Sequence, residues 1–199
     1  TEVVNPQRAE IRMLSVEASA SGATLRITGS RGTSDVVLQG SADVTEIQNA
    51  VNGVAGFTGV YASGAGGIVD VLRFRSENFG GGEFIKVEVV SGSLQNAGPG
   101  PSISIGAMEL GNDGLGTFVD DPSATNVAGT VMETGMSISD NGLDGQVSHG
   151  GQIFTGRGNY FEINTNRAQF SFNIDPDLIT TTTIPVNQTF ANGLTTGGT

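Results

Sequence analysis

Short runs in which apolar and polar residues alternate dominate the chain, and period two is the mark of half-buried strands. Residues 8–17 place Ile11 and Met13 on one face, against Arg12 and Leu14. Residues 23–28 set Leu25 and Ile27 opposite Thr24, Arg26 and Thr28, and Val36-Val37-Leu38 follows a turn-forming cluster at 29–33. With 19–22 read as a turn, these runs predict a three-strand antiparallel meander with short hairpin links.

The period then changes. Val44, Ile47 and Val51 form one apolar stripe at helical spacing. Asp43 suits the N-cap, and Glu46 three residues on completes a capping-box pattern. Gly53 suits the left-handed position that ends such a helix. So short a helix is unstable alone and must pack on the sheet. Strands resume at 60–62, at 69–74 and at 84–90, where Ile85, Val87 and Val89 oppose Phe84, Lys86, Glu88 and Val90. The first 92 residues therefore read β-β-β-α-β-β-β, an α+β arrangement that is predominantly β.

Gly and Pro at 93–101 punctuate the chain, which predicts two units: an α+β domain over 1–98 and a second β-rich domain over 99–199. In the second, Ile103, Ile105 and Met108 suit a strand, and 131–138 is weakly strand-like. Gln146-Val147-Ser148 and Gln152-Ile153-Phe154 flank a hairpin turn at His149-Gly150-Gly151. Phe161 with Ile163, and Phe170 with Phe172 and Ile174, keep period two and suit a sheet core better than a ligand site. The tail, 176–199, is rich in Thr and Gly, with one extended stretch expected at 178–186.

Composition narrows the functions. Gly reaches 31 of 199 residues, against an average near ~7%, with no three-residue period, so turns and not collagen explain it. Net charge is −11, which disfavours nucleic acid and anionic membranes as partners. The absence of Cys removes disulfides, thiol nucleophiles and zinc–thiolate sites. No apolar run approaches the ~18 residues of a membrane helix. The opening Thr1-Glu2-Val3-Val4 carries no start Met, basic stretch or apolar run, so the chain reads as a piece of something longer.

Candidate chemistry is sparse. His149 is the only histidine and falls in a hairpin turn beside Ser148, with Asp144 nearby; nothing makes the three converge. Asp120-Asp121 and Asp140 with Asp144 are oxygen-rich, but they lack the calcium-loop pattern and read as solvated turns. The glycines at 64–67 and 80–82 do not lead from a strand into a helix, so hairpin turns explain them better than a phosphate cradle. Asn187-Gln188-Thr189 matches a glycosylation sequon by chance composition. No catalytic, cofactor-binding or metal-binding residue is expected, and no enzyme.

Two stretches resemble flagellins. In the first, within 7–92, a capped helix (Asp43 to Asn52) leads into Thr58-Gly59-Val60-Tyr61-Ala62. This is similar to the flagellin hook IN motif, in which a helix ending near an Ile-Asn pair precedes Thr-Gly-Val-x-Ala; here Gln48-Asn49 stands for that pair. Ser76-Glu77-Asn78-Phe79-Gly80 and the strand from Glu83 to Gly92 continue the likeness. The second stretch runs from Asn141-Gly142-Leu143-Asp144-Gly145 through Gly151-Gln152-Ile153-Phe154-Thr155-Gly156 to the strands at 161–165 and 170–174, with His149-Gly150 where the family has Ile-Asn.

The heptad helices through which flagellins polymerise have no counterpart here. The resemblance therefore implies the outer part of a flagellin, extracellular and displayed on the filament, structural and supporting motility. Neighbouring subunits would be its partners, and by itself it would be monomeric. A hook-associated junction or cap protein is the nearest alternative, because the motif occurs there too. A surface adhesin or glycan-binding module is the more distant one.

Overall fold

A computed structural model describes residues 2–14, 16–65, 71–96, 103–105, 108–110, 116–118, 131–149, 151–164 and 169–174. The first part runs β1 (Glu2–Val4), β2 (Glu10–Leu14), β3 (Val16–Gly29), β4 (Gly32–Leu38), α1 (Val44–Gly53), α2 (Ala55–Thr58), β5 (Val60–Ala65), β6 (Val71–Ser76) and β7 (Phe84–Asn96). The second runs β8 (Ile103–Ile105), β9 (Met108–Leu110), β10 (Gly116–Phe118), β11 (Val131–Glu133), β12 (Ser137–Asn141), β13 (Gln146–His149), β14 (Gln152–Thr155), β15 (Tyr160–Asn164) and β16 (Gln169–Asn173). The expected α+β, predominantly β class holds, and every pairing described is antiparallel.

Two sheets share the main core. One has the order β11-β7-β3-β4, with β12 also pairing β7; the other has the order β5-β6-β2-β8. The apolar phase of each strand turns inward. Ile11, Met13, Leu72 and Phe74 from one sheet and Leu25, Ile27, Ile85, Val87 and Val89 from the other are fully buried in a single cluster. Stacking two half-apolar sheets in this way is how antiparallel strands leave water. No helix among the described residues is long and apolar enough to cross a membrane.

The expected meander is corrected in two places. The run over 8–17 is not one strand. β2 pairs with β6 and β8 in one sheet, whereas β3 enters the other, so the chain changes layer between them. The expected turn at 19–22 is not a hairpin either. It is an irregularity inside β3, between Ala18 and Ala23 in the β7 register. Gly22 (φ +82°) and Gly92 (φ +73°) sit there with Gly40, each so close to neighbouring backbone that a Cβ would collide. Only glycine permits that approach and the two left-handed conformations.

The helix also differs in how it packs and ends. α1 rests against both β4 and β5, the edge strands of the two sheets, and so closes one side of the sandwich rather than lying on one face. Its C-cap is Val54, and Gly53 is its last residue; the left-handed stop comes later, at Gly59 (φ +73°), after the extra short helix α2.

A smaller sheet, β1-β13-β14, and the β15-β16 hairpin share a second apolar cluster of Val147, Phe161 and Ile174 with Phe172. The Phe161 and Phe172 rings stack at 5.1 Å. The expected hairpin around 149–151 is present, and the alternating runs that include Phe161 and Phe170 pair with each other as β15 and β16. The expected extended stretch at 178–186 and the pair Asp120-Asp121 lie outside the described residues.

Strand pairings run across residue 98. β1 pairs with β13, and β7 pairs with β11 and β12, whose Met132 and Ile138 join the main core. Burying two such side chains stabilises by about 1.5–3 kcal/mol each. A chain ending at residue 98 is therefore expected to melt at least about 5 °C below the full chain in calorimetry. Equal melting temperatures would show that residues 1–98 need nothing from the rest.

Candidate functional site

The segment from α1 to β5 is built around one exposed backbone edge. Among the described residues β5 pairs with β6 alone, so its outer N–H and C=O groups have no strand partner among them. Side chains supply them. Asn52 donates through Nδ2 to the Ala62 carbonyl (2.9 Å), and its Oδ1 accepts from the Ala62 amide (2.8 Å). Gln48, one helical turn earlier on the same face, accepts the Gly64 amide through Oε1 (2.8 Å). Thr58 accepts the Val60 amide through Oγ1 and donates back to the Val54 carbonyl, both at 3.2 Å. Helix side chains thus take the place of a missing strand.

The helix is fixed for this task at its other end. Asp43 accepts the Glu46 amide (2.9 Å), and Glu46 accepts the Asp43 amide (3.1 Å), completing the expected capping box. Ile47 and Val51 are fully buried and set the helix rotation that aims Gln48 and Asn52 at β5. The pentapeptide that follows has a physical reason at each position. Thr58 is buried and closes the first amide, and Gly59 takes the left-handed turn. Val60 and Ala62 enter the core, while Tyr61 faces outward.

This geometry reassigns the pair that leads into the pentapeptide. Asn49, expected there with Gln48, is exposed, whereas buried Val51 followed by Asn52 sits at the helix end and reaches the strand. Within α1, Val51-Asn52 is the apolar-Asn pair that meets β5.

The carboxylates at 140 and 144 are not solvated turns, which corrects that expectation. Asp140 is 6% exposed and accepts the Glu10 amide (2.7 Å). Asp144 accepts the amides of Gly81 (3.0 Å) and Gly158 (2.7 Å) through the same oxygen. Gly80 has no room for a Cβ against Gly158 and Asp144, so the glycine run at 80–82 is a place of close approach and not simply a hairpin turn. Gln7 completes the junction by exchanging bonds with Leu143 (2.8 and 3.0 Å) and accepting the Gly80 amide (3.0 Å). His149 ends β13, with its backbone paired to Gln152. The sequon at Asn187 lies outside the described residues.

No family model matches the chain, and no curated protein matches it. Solved structures similar to this chain include two of the flagellar cap protein FliD D2–D3 domains from Serratia marcescens. One has 16% identity and a TM-score of 0.47, with 87% of this chain and 91% of that chain covered. The other, a second crystal form, has 16% identity and a TM-score of 0.42, with 87% and 90% covered. Likeness at that distance leaves the role to be argued from this chain's own residues.

Two substitutions separate the neighbouring asparagines. Asn52→Ala removes both partners of the Ala62 edge and is expected to cost about 1–2 kcal/mol in urea unfolding. Asn49→Ala is expected to stay within about 0.5 kcal/mol of the parent. At the junction, Asp144→Ala strands two amides and is expected to cost about 2–3 kcal/mol in the same measurement.

Proposed function

We propose that this chain is an outward-facing, non-catalytic part of a bacterial flagellar protein, lying outside the cell and supporting motility as a structural element. The observation that carries this reading is the Asn52–Ala62 lock leading into Thr58-Gly59-Val60-Tyr61-Ala62. It gives Thr58, Gly59, Val60 and Ala62 of the flagellin-like pentapeptide each a mechanical purpose, which supports the reading. A structural role is supported further by how Glu10, Asp140 and Asp144 are used: each is held in bonds that join strands or turns.

Two parent proteins share the motif. One is flagellin, with this portion displayed along the filament beside neighbouring subunits. The other is a hook-associated junction or cap protein, placed where the filament meets the hook or at its tip. In either case the partners are other flagellar subunits, and neither nucleic acid nor membrane enters the role.

Immunogold microscopy with antibody raised against this chain, applied to the source bacterium, tests the proposal. Label confined to flagella is expected. Label along the whole filament assigns the chain to flagellin, and label at the tip or hook junction assigns it to a hook-associated protein. Label on the cell body alone, with a reproducible glycan-array hit, would replace the proposal with the adhesin.

A further inference from the structure

Asparagine is followed by glycine at 52–53, 141–142 and 192–193. An asparagine so placed loses its side-chain amide most readily, because glycine leaves the next backbone nitrogen unhindered. The pair at 192–193 lies outside the described residues. At 141–142 the fold itself requires glycine. A Cβ on Gly142 would collide with the Gly80 and Gln7 carbonyls, and the Gly142 amide is committed to the Glu83 carbonyl (2.8 Å).

At 52–53 the fold makes no such demand. Gly53 is the last residue of α1, is exposed and takes no left-handed conformation, and a Cβ there would meet nothing within 4 Å. Glycine is a poor helix former, so it weakens α1 and supplies neither a contact nor a turn. What it changes is the chemistry of Asn52, whose carboxamide closes the β5 edge through both its nitrogen (2.9 Å) and its oxygen (2.8 Å).

We propose that Asn52-Gly53 is a site of spontaneous deamidation, held back by the lock on β5 and, once converted, unable to remake it. The Gly53 nitrogen gives up its proton to hydroxide and attacks Asn52 Cγ. A C–N bond forms, the bond to Nδ2 breaks, and ammonia leaves with a proton from water. Water then opens the resulting succinimide to aspartate or, through its other carbonyl, to isoaspartate. The attack needs Cγ over the Gly53 nitrogen, with the Asn52 ψ turned away from its helical value. The end of α1 must therefore fray and both bonds to Ala62 must break first. In aspartate an acceptor replaces the Nδ2 donor, so two oxygens repel where the Ala62 carbonyl was bonded. The new charge also lies at the negative end of the helix, where the last turn holds no basic residue. Isoaspartate adds a methylene to the main chain and carries the side chain out of place. Either product leaves the Ala62 carbonyl without its donor on a strand edge.

The full chain, incubated at mildly alkaline pH in native buffer and in urea, tests this by peptide mapping of aspartate and isoaspartate at position 52. Conversion is expected in both, at least about tenfold slower in native buffer. Gly53→Ala is expected to suppress it and to melt no lower than the parent, since alanine is the better helix former. Asn52→Asp supplies one product directly, and its Ala62 amide is expected to exchange at least about tenfold faster than the parent's. Equal rates in native buffer and urea would overturn the proposal, because the lock would then protect nothing. So would conversion in native buffer no faster than in Gly53→Ala, or a Gly53→Ala variant that melts lower, since Gly53 would then be a structural residue. An Asn52→Asp variant whose Ala62 amide exchanges as slowly as the parent's would overturn it as well.

Discussion

The free edge of β5 is the constraint on which the main body depends. A sandwich of two open sheets exposes edge strands, and an unpaired edge leaves backbone donors and acceptors that invite other strands. Here the edge is covered by Gln48, Asn52 and Thr58, which bond the backbone of Gly64, Ala62 and Val60 in turn. Because α1 also packs on β4, the same helix ties the edges of both sheets together. Its capping box and the buried Ile47 and Val51 position the polar face as well as holding the helix. A covered edge does not recruit stray strands.

The junction around Asp144 uses the same principle between turns. One carboxylate oxygen gathers amides from Gly81 and Gly158, and glycine allows the backbones to meet. A charged acceptor makes the stronger bonds, and leaving those amides without it would be costly. Acidic residues that composition alone would assign to the solvated surface thus hold distant segments in register.

Periodicity in the sequence was a sound guide to strands, to the helix and to the inward faces. Ile11 with Met13, Leu25 with Ile27, and Ile85 with Val87 and Val89 are all buried as their alternation predicts. What it could not reveal was which strands share a sheet. β2 and β3 both alternate, yet they sit in different layers, because strand partnership is decided by long-range packing and not by local period. Asn49 and Asn52 cannot be told apart locally for a related reason: both are polar and exposed, and only the position of β5 decides which one bonds. The helix cap, by contrast, was legible because Asp43 and Glu46 act within three residues of each other.

Native-state hydrogen exchange at the amides of Val60, Ala62 and Gly64 tests the edge closure most directly. If helix side chains replace a missing strand, all three exchange slowly, with protection approaching that of the interior strands β2 and β3. Exchange at these amides as fast as in exposed turns would contradict it, since the β5 edge would then be open to water and α1 would merely lie beside it.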